Sequence, residues 1–221
     1  KRVRYAQGRV IGGGSSVNGM ISIRGVPSDY DGWEAAGAKG WGWDGVLPYF
    51  KKQETDRDFN GPLHGQEGPM GLQRVFEERW PGFTKGFIDA AREDGWRDLK
   101  DKNANFGDGF FPVAVAHNDG RRTSTATAYL TRDARSRRNL TIIDQTRAMR
   151  ILLDGKTVTG VRVIRNGEEF AIKAKEVIVS SGALHSPALL LRSGIGPAAE
   201  LKEYGISVVA DRPGVGKNLM E

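Results

Sequence analysis

Apolar and polar positions change their period along this chain, and the change divides it. From residue 148 onward, three β-rich runs, AMRILLDG, KTVTGVRVIRNG and EEFAIKAKEVIVSSG, are joined at Asp154-Gly155 and Asn166-Gly167. These dipeptides favour two-residue hairpin turns, so the pattern predicts a three-stranded antiparallel meander. The third run ends in an apolar stretch of the kind buried on both faces of a sheet, then a small-residue turn and a helix opening at Ser186-Pro187. A PAAELKEYG helix and an ISVVADRPG strand follow.

The earlier part of the chain is less regular. GVLPYFKKQE predicts a short helix with Val46, Leu47 and Phe50 on one face. PGFTKGFIDAAREDG predicts the clearest helix, with Pro81 near its start, Phe83, Phe87, Ile88 and Ala91 on one stripe and Gly95 after its end. A further helical stretch begins near Thr123. Residues 53–79 hold no sustained period and are punctuated by Gly and Pro, which reads as an irregular excursion serving as a linker or mobile lid. In GAKGWGWDG the tryptophans are expected to wedge loops onto a core.

With 221 residues the chain is long enough to bury a real core. Its formal charge of +6 suits an anionic cofactor, a nucleic acid or an acidic membrane equally, so charge selects none of them. The absence of cysteine excludes disulfides, thiolate metal sites and a cysteine nucleophile, and fits a cytoplasmic location. There is no apolar run of membrane-spanning length. His64, His117 and His185 are scattered without ligand spacing and the acidic residues show no pairing suited to acid/base work, so the expectation is no metal and three structural or exposed histidines. Arg132, Arg135, Arg137 and Arg138 lack interleaved aromatics and read as a solvated helix end; no nucleic acid is expected. GWGWDG satisfies G-x-G-x-x-G in form only, because no buried strand precedes it and two tryptophans would block backbone approach.

The glycine run GRVIGGGSSVNGM is more informative. Residues without side chains let main-chain N–H groups point at a ligand, and Ser15 and Ser16 add hydroxyl donors. An ordinary flexible loop has the same composition, and the residues leave both readings open. From its residues alone, the chain is an α/β domain with a cofactor-like glycine loop.

GRVIGGGSSVNGMISIRG resembles the first signature of the glucose-methanol-choline (GMC) family of FAD-dependent oxidoreductases, and GALHSPALLLRSGIG resembles its second. DYDGWEAAGAKGWGWDGVLPYFKKQE, GRRTSTATAYL and PGVGKNL are also similar, with a tone closest to choline-dehydrogenase-like members. The resemblance implies a mixed α/β fold, part of an FAD-binding dinucleotide-type architecture. It would comprise flavin-contacting loops at 1–57, a substrate-side segment at 58–112 and a return to the FAD-binding domain at 113–221. Val10, Gly14, Asn18, Gly19, Met20 and Ile21 fall on the family's flavin-contacting positions. Ala148 falls on a position whose main chain recognises the adenine, and Asn218 on an element near the flavin.

The family's G-x-G-x-x-G opening is expected before Lys1 and its catalytic His after Glu221, leaving no catalytic residue within the chain. The implied chemistry is oxidation of a small-molecule alcohol by hydride transfer to flavin, with the acceptor of the electrons unspecified. Val17 stands where some relatives carry the His that links covalently to flavin, so the FAD is expected to be non-covalent. A lyase on the same flavin scaffold, or a non-catalytic basic binding module, are the alternatives. Self-association is expected from apolar surface left uncovered.

Overall fold

The computed structural model describes residues 5–219. The chain forms two compact units, Lys1–Thr141 and Ile142–Glu221.

In the first unit the glycine run is followed by two helices, α1 (Pro27–Ala35) and α2 (Trp43–Gln53). Pro27 supplies a preset φ at the first helical position, and Asp29 Oδ2 accepts the otherwise orphaned Val26 N–H at 3.0 Å. The apolar pattern did not foretell α1, which buries only Tyr30. Asp31 accepts from Trp43 N and Glu34 from Gly40 N, so the tryptophan-rich loop is stitched to α1. Tyr30 packs against Trp33, Trp43 and Phe50 at centroid distances of 5.2, 5.8 and 5.6 Å, and Val46, Leu47 and Phe50 are half-buried, as their spacing predicted.

Four short strands follow in the order β1 (Glu54–Asp56), β2 (Met70–Gln73), β3 (Val115–Asn118) and β4 (Arg121–Arg122). β1 and β2 are parallel, with Glu54 opposite Met70 and Asp56 opposite Leu72; the other pairs are antiparallel. Side chains alternate along a strand, so Glu54, Asp56, Met70 and Leu72 share a face, and Arg74 continues that row one step beyond β2. The excursion is therefore no mobile lid. It is clasped to β1 by Thr55 Oγ1 donating to Gly68 O (2.6 Å), Gly68 N donating to Glu54 O (2.9 Å) and Gln66 Nε2 donating to Asp56 O (3.2 Å). Gly65 lies so close to β1 that a Cβ there would collide with the Lys51 carbonyl and stand 2.7 Å from that of Glu54.

Helix α3 (Gly82–Glu93) forms where the sequence predicts it, but its buried face is Ile88 with Thr84, Lys85 and Ala91 partly covered; Phe83 and Phe87 are exposed. The stretch after Thr123 breaks into two one-turn helices, α4 (Thr125–Ala128) and α5 (Arg132–Arg135), because Ser124 and Thr131 each accept a backbone N–H three residues on and start a new helix.

The second unit begins with the meander: β5 (Thr146–Asp154), β6 (Thr157–Arg165) and β7 (Glu168–Lys173). Both hairpin loops hold two residues, with positive φ at Gly155 in the first and at Asn166 and Gly167 in the second. Residues 176–180 do not form the buried strand their apolarity suggests. No strand pairs with them among the described residues, and Ile178 is 83% exposed; a strand needs a neighbour for its N–H and C=O groups. Helix α6 (Gly182–Arg192) opens four residues earlier than Ser186, with Pro187 inside it. Beyond it, β8 (Ile195–Gly196) runs parallel to β9 (Ala210–Asp211) around α7 (Ala198–Glu203). Ser193 Oγ accepts from Ile151 N (2.8 Å) and donates to Leu189 O (2.7 Å), tying the end of α6 to β5 over a core of Ile151, Val163, Leu189 and Leu201.

Candidate functional site

The glycine run is a built loop. Gly13–Ser16 forms a 3₁₀ turn entered through Gly12 at φ +91°, where a Cβ would strike Ser16 Oγ and stand 3.0 Å from the Cβ of Ala126 on α4. Both serine hydroxyls are used internally, Ser15 Oγ donating to Gly12 O (2.5 Å) and Ser16 Oγ to Ile11 O (2.9 Å), so neither is the ligand donor expected from sequence. Ser15 Oγ also accepts from Thr125 N at 3.0 Å. Arg122 Nη1 donates to Ser15 O (3.2 Å) and Asn18 Oδ1 (2.9 Å), which fastens the loop to the GRRTST stretch. Asn18 Oδ1 accepts from Met20 N as well, and this fixes the side-chain amide with its NH₂ group left to donate. Met20 O accepts from Ala116 N (2.7 Å) and Ser22 N donates to Ala114 O (2.9 Å), so the loop exits along the sheet.

Val10, Gly14, Val17, Asn18, Gly19 and Ile21 lie exposed on this loop with Met20 half-buried at φ +64°. At Gly14 and Gly19 a Cβ would meet nothing within 4 Å, so the protein itself gives no packing reason for their lack of side chains. Ala148 and Asn218 belong to the second unit. Ala148 is half-buried on β5 opposite Val163, where the register shifts before Arg150; the carbonyl of the extra residue, Met149, accepts from Arg192 Nε at 3.0 Å. Asn218 is exposed at φ +53°. Two shallow grooves, about 340 Å³ along β5 and about 480 Å³ beside the excursion, touch none of residues 8–21.

A second constellation escaped the sequence reading. His64, which lacks ligand spacing in the sequence and is expected from it to be structural or exposed, is buried, with Nε2 2.8 Å from Asp101 Oδ2 and Nδ1 3.2 Å from Asp56 Oδ2 and 3.5 Å from Glu54 Oε1. Arg74 forks onto Asp56 at 2.8 and 2.9 Å and reaches Asp101 at 3.0 Å; Arg24 donates to Glu54 at 2.5 Å. Glu54, Asp56 and His64 could together face a metal ion, yet Glu54 Oε1 already accepts from Arg24 and Gly65 N, and Asp56 Oδ2 from Arg74. Burial pushes the Asp56 carboxyl up, but hydrogen bonds with His64 and Arg74 overrule it and hold the group well below the usual carboxylate range. Burial likewise raises Glu54 and Asp101, and contact with His64 and the arginines brings both down. Asp101, then Asp56 and Glu54, overcome burial and push His64 up to about 11. The sequence carried no signal for this cluster beyond the i, i+2 spacing of Glu54 and Asp56; Arg74 joins them through the pairing of β1 with β2, and Asp101 and His64 arrive from loops.

The glycine loop is thus poor in side chains on its exposed face and is pinned by Arg122 and by α4. Over residues 1–221 the chain matches the GMC oxidoreductase family, and it belongs to that family. It is 50% identical over 218 residues to 5-(hydroxymethyl)furfural oxidase of Methylovorus sp., covering 98% of this chain and 41% of that protein. To the oxygen-dependent choline dehydrogenase of Brucella anthropi it is 43% identical, over 97% of this chain and 39% of the relative. An FAD-dependent oxidoreductase from Chaetomium thermophilum superposes with a TM-score of 0.88 at 32% identity, covering 97% of this chain and 39% of that one. The chain thus spans about two fifths of the length of the relatives it matches.

Proposed function

We propose that this chain supplies the flavin-facing loops of an FAD-dependent oxidoreductase that oxidises a small-molecule alcohol. The observation that carries the proposal is the open, pinned face at Gly14, Asn18 and Gly19, where missing side chains serve nothing inside the protein. The names of two relatives, for a hydroxymethyl furan and for choline, favour a primary alcohol as substrate.

When bound, FAD supplies the hydride acceptor that no amino-acid side chain can provide. The protein's part is to bind and orient. Gly14 and Gly19 admit a planar ring against the backbone, and Asn18, held by Arg122, offers its NH₂ group to a ring acceptor. Arg122 would add positive charge suited to an anionic cofactor, and the family resemblance assigns adenine recognition to the main chain of Ala148. Val17 offers no nucleophile at the position where the resemblance would put a covalent link, which favours a non-covalently held flavin.

Asn18→Leu, compared with Ala148→Val, tests the assignment. Flavin retention and the flavin absorbance spectrum should change more in the first, because it removes a side-chain donor while the second leaves the main chain intact. Equal retention and unchanged spectra in both would refute the placement. Acid precipitation should leave the yellow colour in the supernatant; colour in the pellet would refute the non-covalent mode.

A further inference from the structure

We propose that His64 is a doubly protonated imidazolium at neutral pH, the cationic centre of a buried knot that positions the segment leaving the glycine loop. A neutral imidazole has one donor and one acceptor. Nε2 is hydrogen-bonded to Asp101 at 2.8 Å, while Nδ1 is buried 3.2 Å from Asp56 Oδ2 and 3.5 Å from Glu54 Oε1 without an aligned hydrogen bond to either. Those carboxylates already accept from arginines or backbone N–H groups, so they are held as anions with no proton to lend. The tautomer protonated at Nδ1 would aim the Nε2 lone pair at Asp101 Oδ2, and the one protonated at Nε2 would leave a buried lone pair 3.2 Å from the Asp56 carboxylate, whereas a proton on Nδ1 places positive charge beside both Asp56 and Glu54. The charges agree. Glu54 and Asp56 from β1 and Asp101 from the loop after α3 carry three negative charges; Arg24 and Arg74 carry two positive ones, and a protonated His64 brings the buried set to zero. Asp58, facing Arg74, lies at the rim, and Lys51, Lys52 and Glu67 line the groove outside. A divalent ion would compete with arginine donors for the same oxygens beside two fixed cations, which disfavours the metal alternative.

The knot reaches the loop through Asn103. Asp101 Oδ1 accepts from Asn103 N (3.1 Å); the Asn103 side chain accepts from Arg24 N (3.0 Å) and donates to Ser22 O (3.0 Å). Arg24 itself holds Glu54 and donates to Leu63 O at 2.6 Å, one residue before His64. Residues 22–24 are therefore clamped from both sides by groups whose placement depends on the knot, whatever ligand the loop carries.

The test is NMR on protein labelled with ¹⁵N-histidine, its His64 signal assigned by loss in His64→Gln, with free histidine in the same tube as reference. The expected result is two protonated ring nitrogens at pH 8, where the free histidine is neutral, and no change on adding zinc. A neutral-tautomer pattern at pH 8, or a zinc-induced metal-bound pattern, would overturn the imidazolium. Positioning is read by amide exchange at one pH. His64→Gln should speed exchange at Ser22 and Arg24 by tenfold or more while β5–β7 stay as they were. Should that variant fail to fold, Asn103→Ser cuts only the clamp and is expected to speed the same amides; unchanged protection in whichever variant folds would refute the positioning role.

Discussion

The two units bury different things. Lys1–Thr141 places Arg24, Glu54, Asp56, His64, Arg74 and Asp101 among its buried side chains beside Met70, Leu72 and Leu99; in Ile142–Glu221 the buried side chains among the described residues are Ile151, Val163, Leu189, Leu201 and Ser193. A hydrophobic core is non-directional and tolerates substitution by degrees, whereas a buried ionic core is satisfied as a set or fails as a set. The first unit thus gains a specified geometry around its glycine loop, and its order depends on pH and on each member of the knot. The second draws on apolar burial over a hairpin scaffold with local turn chemistry.

Arg74→Met should break this contrast most severely. It strands Asp56 and Asp101 without their shared cation in a site where Arg74 is fully covered, and breaking such a buried pair costs about 3–5 kcal/mol. Urea unfolding followed by residue-resolved exchange should show the first unit opening while β5–β7 stay protected. Leu189→Ala is the counterpart in the second unit, expected to cost about 2–4 kcal/mol through the cavity it leaves, with protection of Glu54 and Asp56 unaffected.

A pH series sharpens the comparison. His64 is raised from 6.5 to about 11 by Asp101, Asp56 and Glu54 against the opposing effect of burial, so its contribution is complete below pH 6.5 and drains as pH rises through the folded value. The loss is on the order of 1 kcal/mol per pH unit over that window. Glu54, Asp56 and Asp101 are lowered, so theirs is complete above their ordinary values of 4.5 and 3.8 and is lost as pH falls below them. The first unit should be most stable near pH 5–6 by denaturant titration, while the second, which buries no charged side chain among the described residues, should vary little from pH 5 to 9.

Smaller effects probe local devices. Asn166→Ala places a residue with a Cβ and no local polar partner at φ +52° in the second hairpin and should cost about 1 kcal/mol in the second unit's denaturation midpoint. Phe83→Ser, at a side chain 88% exposed on α3, should change stability by about 0.5 kcal/mol or less, as measured in the same titration.

What the sequence determined by itself is whatever depends on neighbours along the chain. The meander was legible because Gly155 and the Asn166-Gly167 pair set backbone turns locally, and α2 and α3 because a helix records its period in a single segment. Family membership was legible because two long signatures carry their own spacing, and the run Gly12–Gly14 marked a backbone free of side chains. What only the tertiary structure decided depends on partners distant in sequence. The apolar residues 176–180 lack a paired strand, Phe83 and Phe87 lie outside the buried face of α3, and Ser15 and Ser16 spend their hydroxyls inside the loop. His64 meets Asp56 across eight residues and Asp101 across 37, through strand pairing and loop closure that no local pattern records. A titratable side chain shows its chemistry only when its surroundings are fixed, because burial and facing charges, not its own identity, decide which protons it keeps.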